Sequence, residues 1–169
     1  LDPLGTFMIL VTSLTGFGIG WGKPVIVDPS KMRNPRWDHF WSVAAGPISN
    51  LLQAAFYAIL WRIAIMTGTF YDSGFLMTII TLGVMINLAL CFFNLLPIGP
   101  LDGHWLVGAF LKDKYRPAWY RWNAVSGGIL LIGLILIGQF DPSMNFLGRI
   151  LEPFVSKTAR FLLGVRGLP

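Results

Sequence analysis

Asn94-Leu95-Leu96-Pro97-Ile98-Gly99-Pro100-Leu101-Asp102-Gly103-His104 closes a long uncharged run, since no charged residue stands between Asp72 and Asp102. The stretch delivers a carboxylate on a proline-broken segment at the end of an apolar helix. Irregular backbone survives at membrane depth only where protein buries it or a hydrated cavity lines it. An ionisable group in that setting is a functional candidate from the outset. The reading is a site built inside a membrane, with Asp102 as its chemical residue.

Composition agrees. Of the 169 residues 54% are hydrophobic and 12% charged, and the mean hydropathy is +0.64. That combination lies outside the range of ordinary soluble domains. Seven tryptophans, 13 phenylalanines and 19 glycines suit membrane helices and their interfacial belts. The net charge of +5 is spread over the loops. It therefore reads as an orientation signal and a contact to the lipid bilayer, whereas nucleic acid would call for a continuous basic face. Cys91, the single cysteine, can form no intrachain disulfide and reads as a small buried hydrophobe.

Working outward, residues 40–66 and 75–96 are the two clearest spans, and 124–138 is a third, shorter one. The apolar run 4–20 is interrupted by glycines and either crosses or packs closely against a neighbour. Residues 21–38 form a polar, proline-punctuated loop with a candidate short β-hairpin at Pro24–Asp28. Ala45-Gly46-Pro47 marks a kink or a close helix contact, and Arg62 is placed to snorkel towards head groups beside Trp61. A short helix is expected from Gly103 to about Leu111, then a basic, aromatic loop over 112–122. The tail from Ser143 has the spacing of an amphipathic helix on the membrane surface, with a weak span as the alternative.

Loops 21–38 and 112–122 are basic, whereas 67–74 carries only Asp72. The positive-inside rule then makes the basic loops cytoplasmic and puts Asp102 towards that side. The fold class expected is all-α: a multipass helical membrane protein with a Pro-broken segment.

Asp102 also has a plain structural reading, as the N-cap of the following helix. A catalytic zinc asks for three protein ligands and a water. The chain offers only His39 and His104 as histidine partners, one distant in sequence and one two residues away. Both read more simply as an interfacial residue and a helix-start residue. Asn50 and Asn87 read equally as polar contacts between helices. The Trp119–Trp122 cluster reads as an interfacial belt.

Phe93-Asn94-Leu95-Leu96-Pro97 with Leu101-Asp102-Gly103 resembles the Asn-x-x-Pro…Leu-Asp-Gly signature of the site-2 proteases, the intramembrane zinc metalloproteases. Ala45-Gly46-Pro47-Ile48-Ser49-Asn50 is similar to that family's Ala-Gly-Pro-x-x-Asn helix start. Leu1-Asp2-Pro3-Leu4-Gly5-Thr6, with Gly20-Trp21-Gly22-Lys23-Pro24-Val25, is similar to the segment after its zinc-binding helix. The three matches cover roughly residues 1–111, in order. The resemblance implies Zn2+ as cofactor, Asp102 as a metal ligand, and Asn94 and Asn50 as substrate-binding residues. It further implies two histidines and a general-base glutamate from a His-Glu-x-x-His helix. No such motif occurs in the chain, and its one glutamate is Glu152. The expectation is accordingly a C-terminal fragment holding no catalytic base of its own.

The expected organisation is a partial membrane core over 1–111, a basic cytoplasmic loop over 112–122, and a membrane helix with an amphipathic tail over 123–169. The expected function is cleavage of a membrane-anchored protein within or beside its transmembrane helix, in a prokaryotic inner membrane. Loop 21–38 would pair with the unwound substrate. The rival readings are a non-catalytic homologue that binds membrane helices, and a small ion-coupled transporter; no inverted repeat supports the latter.

Overall fold

A computed structural model describes residues 32–68 and 74–164. The segments at Leu1–Thr6 and Gly20–Val25, the run 4–20 and the Pro24–Asp28 hairpin lie outside the described residues. Among the described residues every regular element is helical, as expected of an all-α membrane protein.

Helix α1 runs Pro35–Thr67 and α2 runs Gly74–Asn94. At 1.5 Å per residue they are about 50 and about 31 Å long. The first exceeds the ~30 Å hydrocarbon thickness, so its polar start (Arg36, Asp38) lies beyond the apolar stretch. Helix α3, Asp102–Phe110, is short. Helix α4, Arg116–Trp122, passes through a π turn at Asn123–Gly127 into α5, Gly128–Phe140. Together α4 and α5 make one run of 25 residues, and with α1 and α2 they are the three described helices long and apolar enough to cross a membrane.

The stretch 112–122, expected as a loop, is helical from Arg116 onward. Pro117 in the first turn presets φ for a helix and lacks an N–H that would go unpaired there. The charges alone suggested a loop.

Helix α6, Phe146–Leu163, starts under an Asn145 cap whose Oδ1 accepts the Gly148 N–H at 2.9 Å. It ends at Gly164, which takes the left-handed conformation at φ 71°. Its apolar stripe is taken up by protein. Val155, Ala159 and Leu163 pack with Ala54 and Ala58 of α1 and with Val84 and Leu88 of α2. Gly83 of α2 makes room for the Tyr57 ring of α1, since a Cβ there would stand 2.7 Å from the ring. Arg62 lies where α6 ends: its Nε donates to the Leu162 carbonyl at 2.8 Å and its Nη2 to Phe161 at 3.1 Å. It thus closes a helix C-terminus, a role favoured by the helix dipole, beyond the head-group contact anticipated.

A second apolar cluster joins Leu101, Leu131 and Leu147, with Phe93, Leu96, Ile98 and Leu134 around it. This cluster seats the proline-broken segment between α2 and the α5–α6 pair.

Candidate metal site at the proline-broken turn

The turn between α2 and α3 satisfies its own backbone almost completely. Leu95 N–H donates to Cys91 O, Leu96 to Phe93 O, Ile98 to Leu96 O and Leu101 to Ile98 O. Pro97 and Pro100 have no N–H to satisfy. Gly99 remains, and its N–H donates to the side-chain Oδ1 of Asn123 at 2.6 Å. Every N–H from 95 to 101 therefore has an acceptor, which is what permits irregular backbone beside membrane helices.

Leu101 occupies the cap position of α3, and no side chain caps the helix. Asp102 is the first helical residue, so the plain N-cap reading does not apply. Its half-buried carboxylate makes no hydrogen bond or ion pair among the described residues. Across from it lies Gly46 of α1, where a Cβ would stand 3.1 Å from Asp102 Oδ2. Gly46 and Pro100 are both exposed, so the carboxylate borders an open face.

Helix α3 is antiparallel to the first turns of α1. At its far end Arg36 Nε donates to Ala109 O at 2.6 Å and Nη2 to Leu111 O at 3.3 Å. The Phe110 ring meets Trp37 and Phe40 edge to face, at 5.6 and 5.4 Å between centroids. In the middle Trp105 touches two histidine rings, His39 at 4.9 Å and His104 at 4.7 Å. The fold thus brings to one aromatic ring two histidines that are distant in sequence.

His104 is only 6% exposed. Its Nδ1 lies 2.5 Å from the Leu101 carbonyl. A carbonyl only accepts, so Nδ1 carries a proton there.

Of the other predicted residues, Asn50 is half-buried one helical turn after Gly46, hence on the same side of α1. Asn94 ends α2, eight residues before Asp102, and is half-buried. Neither side chain hydrogen-bonds among the described residues. Two residues escaped the sequence reading. Asn123, 2% exposed, holds the turn, and Trp119, read as part of a belt, donates its indole N–H to the His104 carbonyl at 2.8 Å. Their one visible signal was a carboxamide standing directly before the uncharged, strongly apolar run 124–138.

The fit to zinc is partial. A free, partly desolvated carboxylate beside a glycine suits one ligand position. No group of three His, Cys, Asp or Glu able to hold a metal occurs among the described residues. They offer at most one candidate ligand, then, and by themselves do not close a zinc site.

The comparisons with known proteins point the same way. Residues 60–135 match the family model described as Peptidase family M50. Over 119 residues, 69% of the chain, it is 36% identical to "Putative zinc metalloprotease YwhC" of Bacillus subtilis (strain 168). The chain spans about half of that relative, 52% of its length. No solved structure matches the chain. The family match covers Asp102 and the whole proline-broken turn, and the three motifs, the helical membrane fold and the sequence identity agree with it: the chain belongs to peptidase family M50, the site-2 protease family.

Proposed function

We propose that this chain is part of a multi-pass intramembrane zinc endopeptidase that cleaves membrane-anchored proteins within or beside a transmembrane helix. The observation that carries the reading is Asp102. It is a half-buried carboxylate with no hydrogen-bond donor among the described residues, at the end of a broken membrane helix and beside the exposed Gly46. A group placed that way costs stability unless a ligand compensates it.

In this reading Asp102 is one zinc ligand. Two histidines and the general-base glutamate come from a His-Glu-x-x-His helix that is not among these 169 residues. Zinc, when bound, supplies Lewis acidity towards a scissile carbonyl. The chain's own residues bind and orient. Gly46 leaves room for an extended backbone beside the carboxylate, and Asn50 and Asn94 offer carboxamides to that backbone. The substrate helix must unwind to present a peptide bond, and the non-helical turn before α3 lies beside the carboxylate that would meet it.

The test uses the full-length enzyme in detergent with a transmembrane reporter. Asp102→Ala is expected to abolish zinc retention and cleavage together. Cleavage that persists in this variant removes Asp102 from the site. Tight helix binding by the wild-type protein with no cleavage and no zinc makes it a helix-binding homologue instead.

A further inference from the structure

We propose that Trp119 and Asn123 form a two-point clamp that positions Asp102, making α4 part of the metal site. The proposal rests on the reading of Asp102 as a zinc ligand and concerns residues to which no metal role has been assigned.

The clamp grips on both sides of the carboxylate. Three residues before Asp102, the Gly99 N–H donates to Asn123 Oδ1 at 2.6 Å. Two residues after it, the His104 carbonyl accepts the Trp119 indole N–H at 2.8 Å. The two jaws are tied together, because Asn123 Nδ2 donates to the Trp119 carbonyl at 3.1 Å. They sit four residues apart and so share one face of the helix. The carboxamide thus uses its oxygen on the turn and its nitrogen on its own helix, and is held in one orientation.

Packing alone would not do this work. A cavity of about 390 Å³ opens between the two elements, lined by Gly99, Pro100, His104, Trp105, Tyr120 and Asn123 among others. The turn meets the α4–α5 rod through the Gly99–Asn123 hydrogen bond and through close backbone contacts of Gly99 with Asn123 and with Gly127. At the second of these contacts a Cβ on Gly127 would fall 2.6 Å from the Gly99 carbonyl oxygen. Gly99 N–H is the only amide from 95 to 101 whose acceptor lies outside the turn and its own helix. Loss of Asn123 orphans that amide, and the turn must shift to find another partner.

A group that orients a metal ligand without touching the metal changes affinity in a known range, about 10- to 100-fold. The experiment uses the full-length protein, purified in detergent, stripped of metal and titrated with Zn2+ against a chromophoric chelator. Asn123→Ala and Trp119→Phe are each expected to weaken zinc about 10- to 100-fold. Both should shift the visible bands of the cobalt(II)-loaded protein, which report ligand geometry. In the metal-free protein both should speed amide exchange across Leu101–His104. Trp119→Phe keeps an aromatic side chain while removing the indole donor and its five-membered ring, so it carries the test if Asn123→Ala fails to fold.

Asp102→Ala separates the two claims. If it loses zinc while Asn123→Ala and Trp119→Phe bind as tightly as wild type with unchanged cobalt bands, the clamp is overturned and Asp102 stands as a ligand. If Asp102→Ala binds zinc like wild type, the ligand reading itself falls.

Discussion

Gly46 and Asp102, fifty-six positions apart, face each other so closely that a Cβ on the glycine would stand 3.1 Å from the carboxylate oxygen. That distance is tighter than ordinary contact, and the neighbour must yield by a few tenths of an ångström. Gly46→Ala is therefore expected to fold normally and to weaken zinc binding only a few-fold, because the carboxylate can swing aside. Gly46→Val adds two methyl groups beyond the alanine Cβ against the same oxygen and should abolish metal retention while leaving the helices formed. Zinc content by atomic absorption, with circular dichroism as the folding control, checks both; full zinc retention in Gly46→Val refutes the contact.

Gly103 answers a different constraint. A Cβ there would run into the Leu95 and Leu96 carbonyls, which are backbone and cannot rotate away. Overpacking of this kind costs about 1–3 kcal/mol and sometimes more. Gly103→Ala should therefore destabilise by at least about 2 kcal/mol, more than Gly128→Ala, where the space is open. Denaturant titration of the two variants side by side gives the comparison, and equal stabilities would contradict it.

Arg36 fastens α1 to the end of α3 through two carbonyls and stands 3.9 Å from Asp113. Hydrogen bonds from a charged donor contribute about 1.5–3 kcal/mol, and a third of this side chain is exposed, so about 1–2 kcal/mol is expected. Arg36→Ala should lose that much. Arg36→Lys should recover little, because one ammonium cannot replace the planar fork that spans both carbonyls. A lysine variant as stable as wild type would argue against the two-carbonyl bond.

Asp113 supplies a pH signature outside the membrane spans. Its hydrogen bond from Arg116 holds the carboxyl below the usual range, with the charges of Arg116 and Arg36 adding to the effect. A carboxyl depressed in the fold contributes stability above its unfolded pKa, about 3.9, and loses it as pH falls through the lower folded value. The link from Asp113 to the start of α4 should accordingly hold at neutral pH and loosen only below about pH 4. Asp113→Asn should remove that pH dependence. The measurement is stability against pH for the two proteins, and identical acid profiles would refute the assignment.

The spans at 40–66 and 75–96 were legible because long uncharged runs leave no other economical structure, and the helices exceed or fall short of those limits by only a few residues. Asp102 was legible because a proline-broken segment made its position expensive. Trp119 and Asn123 were not. Their partners are a carbonyl and an amide in main chain 15 and 24 residues away, and main-chain groups leave no mark in a sequence. The tail showed its amphipathic stripe, yet its docking surface is made by Val84 and Leu88 of α2 with Ala54 and Ala58 of α1, residues that look like any others in an apolar span. Arg62 likewise pairs with carbonyls about a hundred positions away.

The wide turn at Asn123–Gly127 has a consequence for how one rod can serve two neighbours. In an unbroken α-helix Asn123 and Leu131, eight steps apart, would point roughly 80° away from each other. Taking up one extra residue in the π turn makes eight steps count as about seven, and the divergence falls to roughly 20°. Asn123 can then hold Gly99 while Leu131 packs on Leu101, two residues further along the same strand of backbone. A single-residue deletion within 124–126 leaves seven steps, which an ordinary α-helix turns through the same roughly 20°. The rod could then lose its π turn and still hold the segment bearing Asp102 at both ends, whereas an insertion there would set the two grips out of phase.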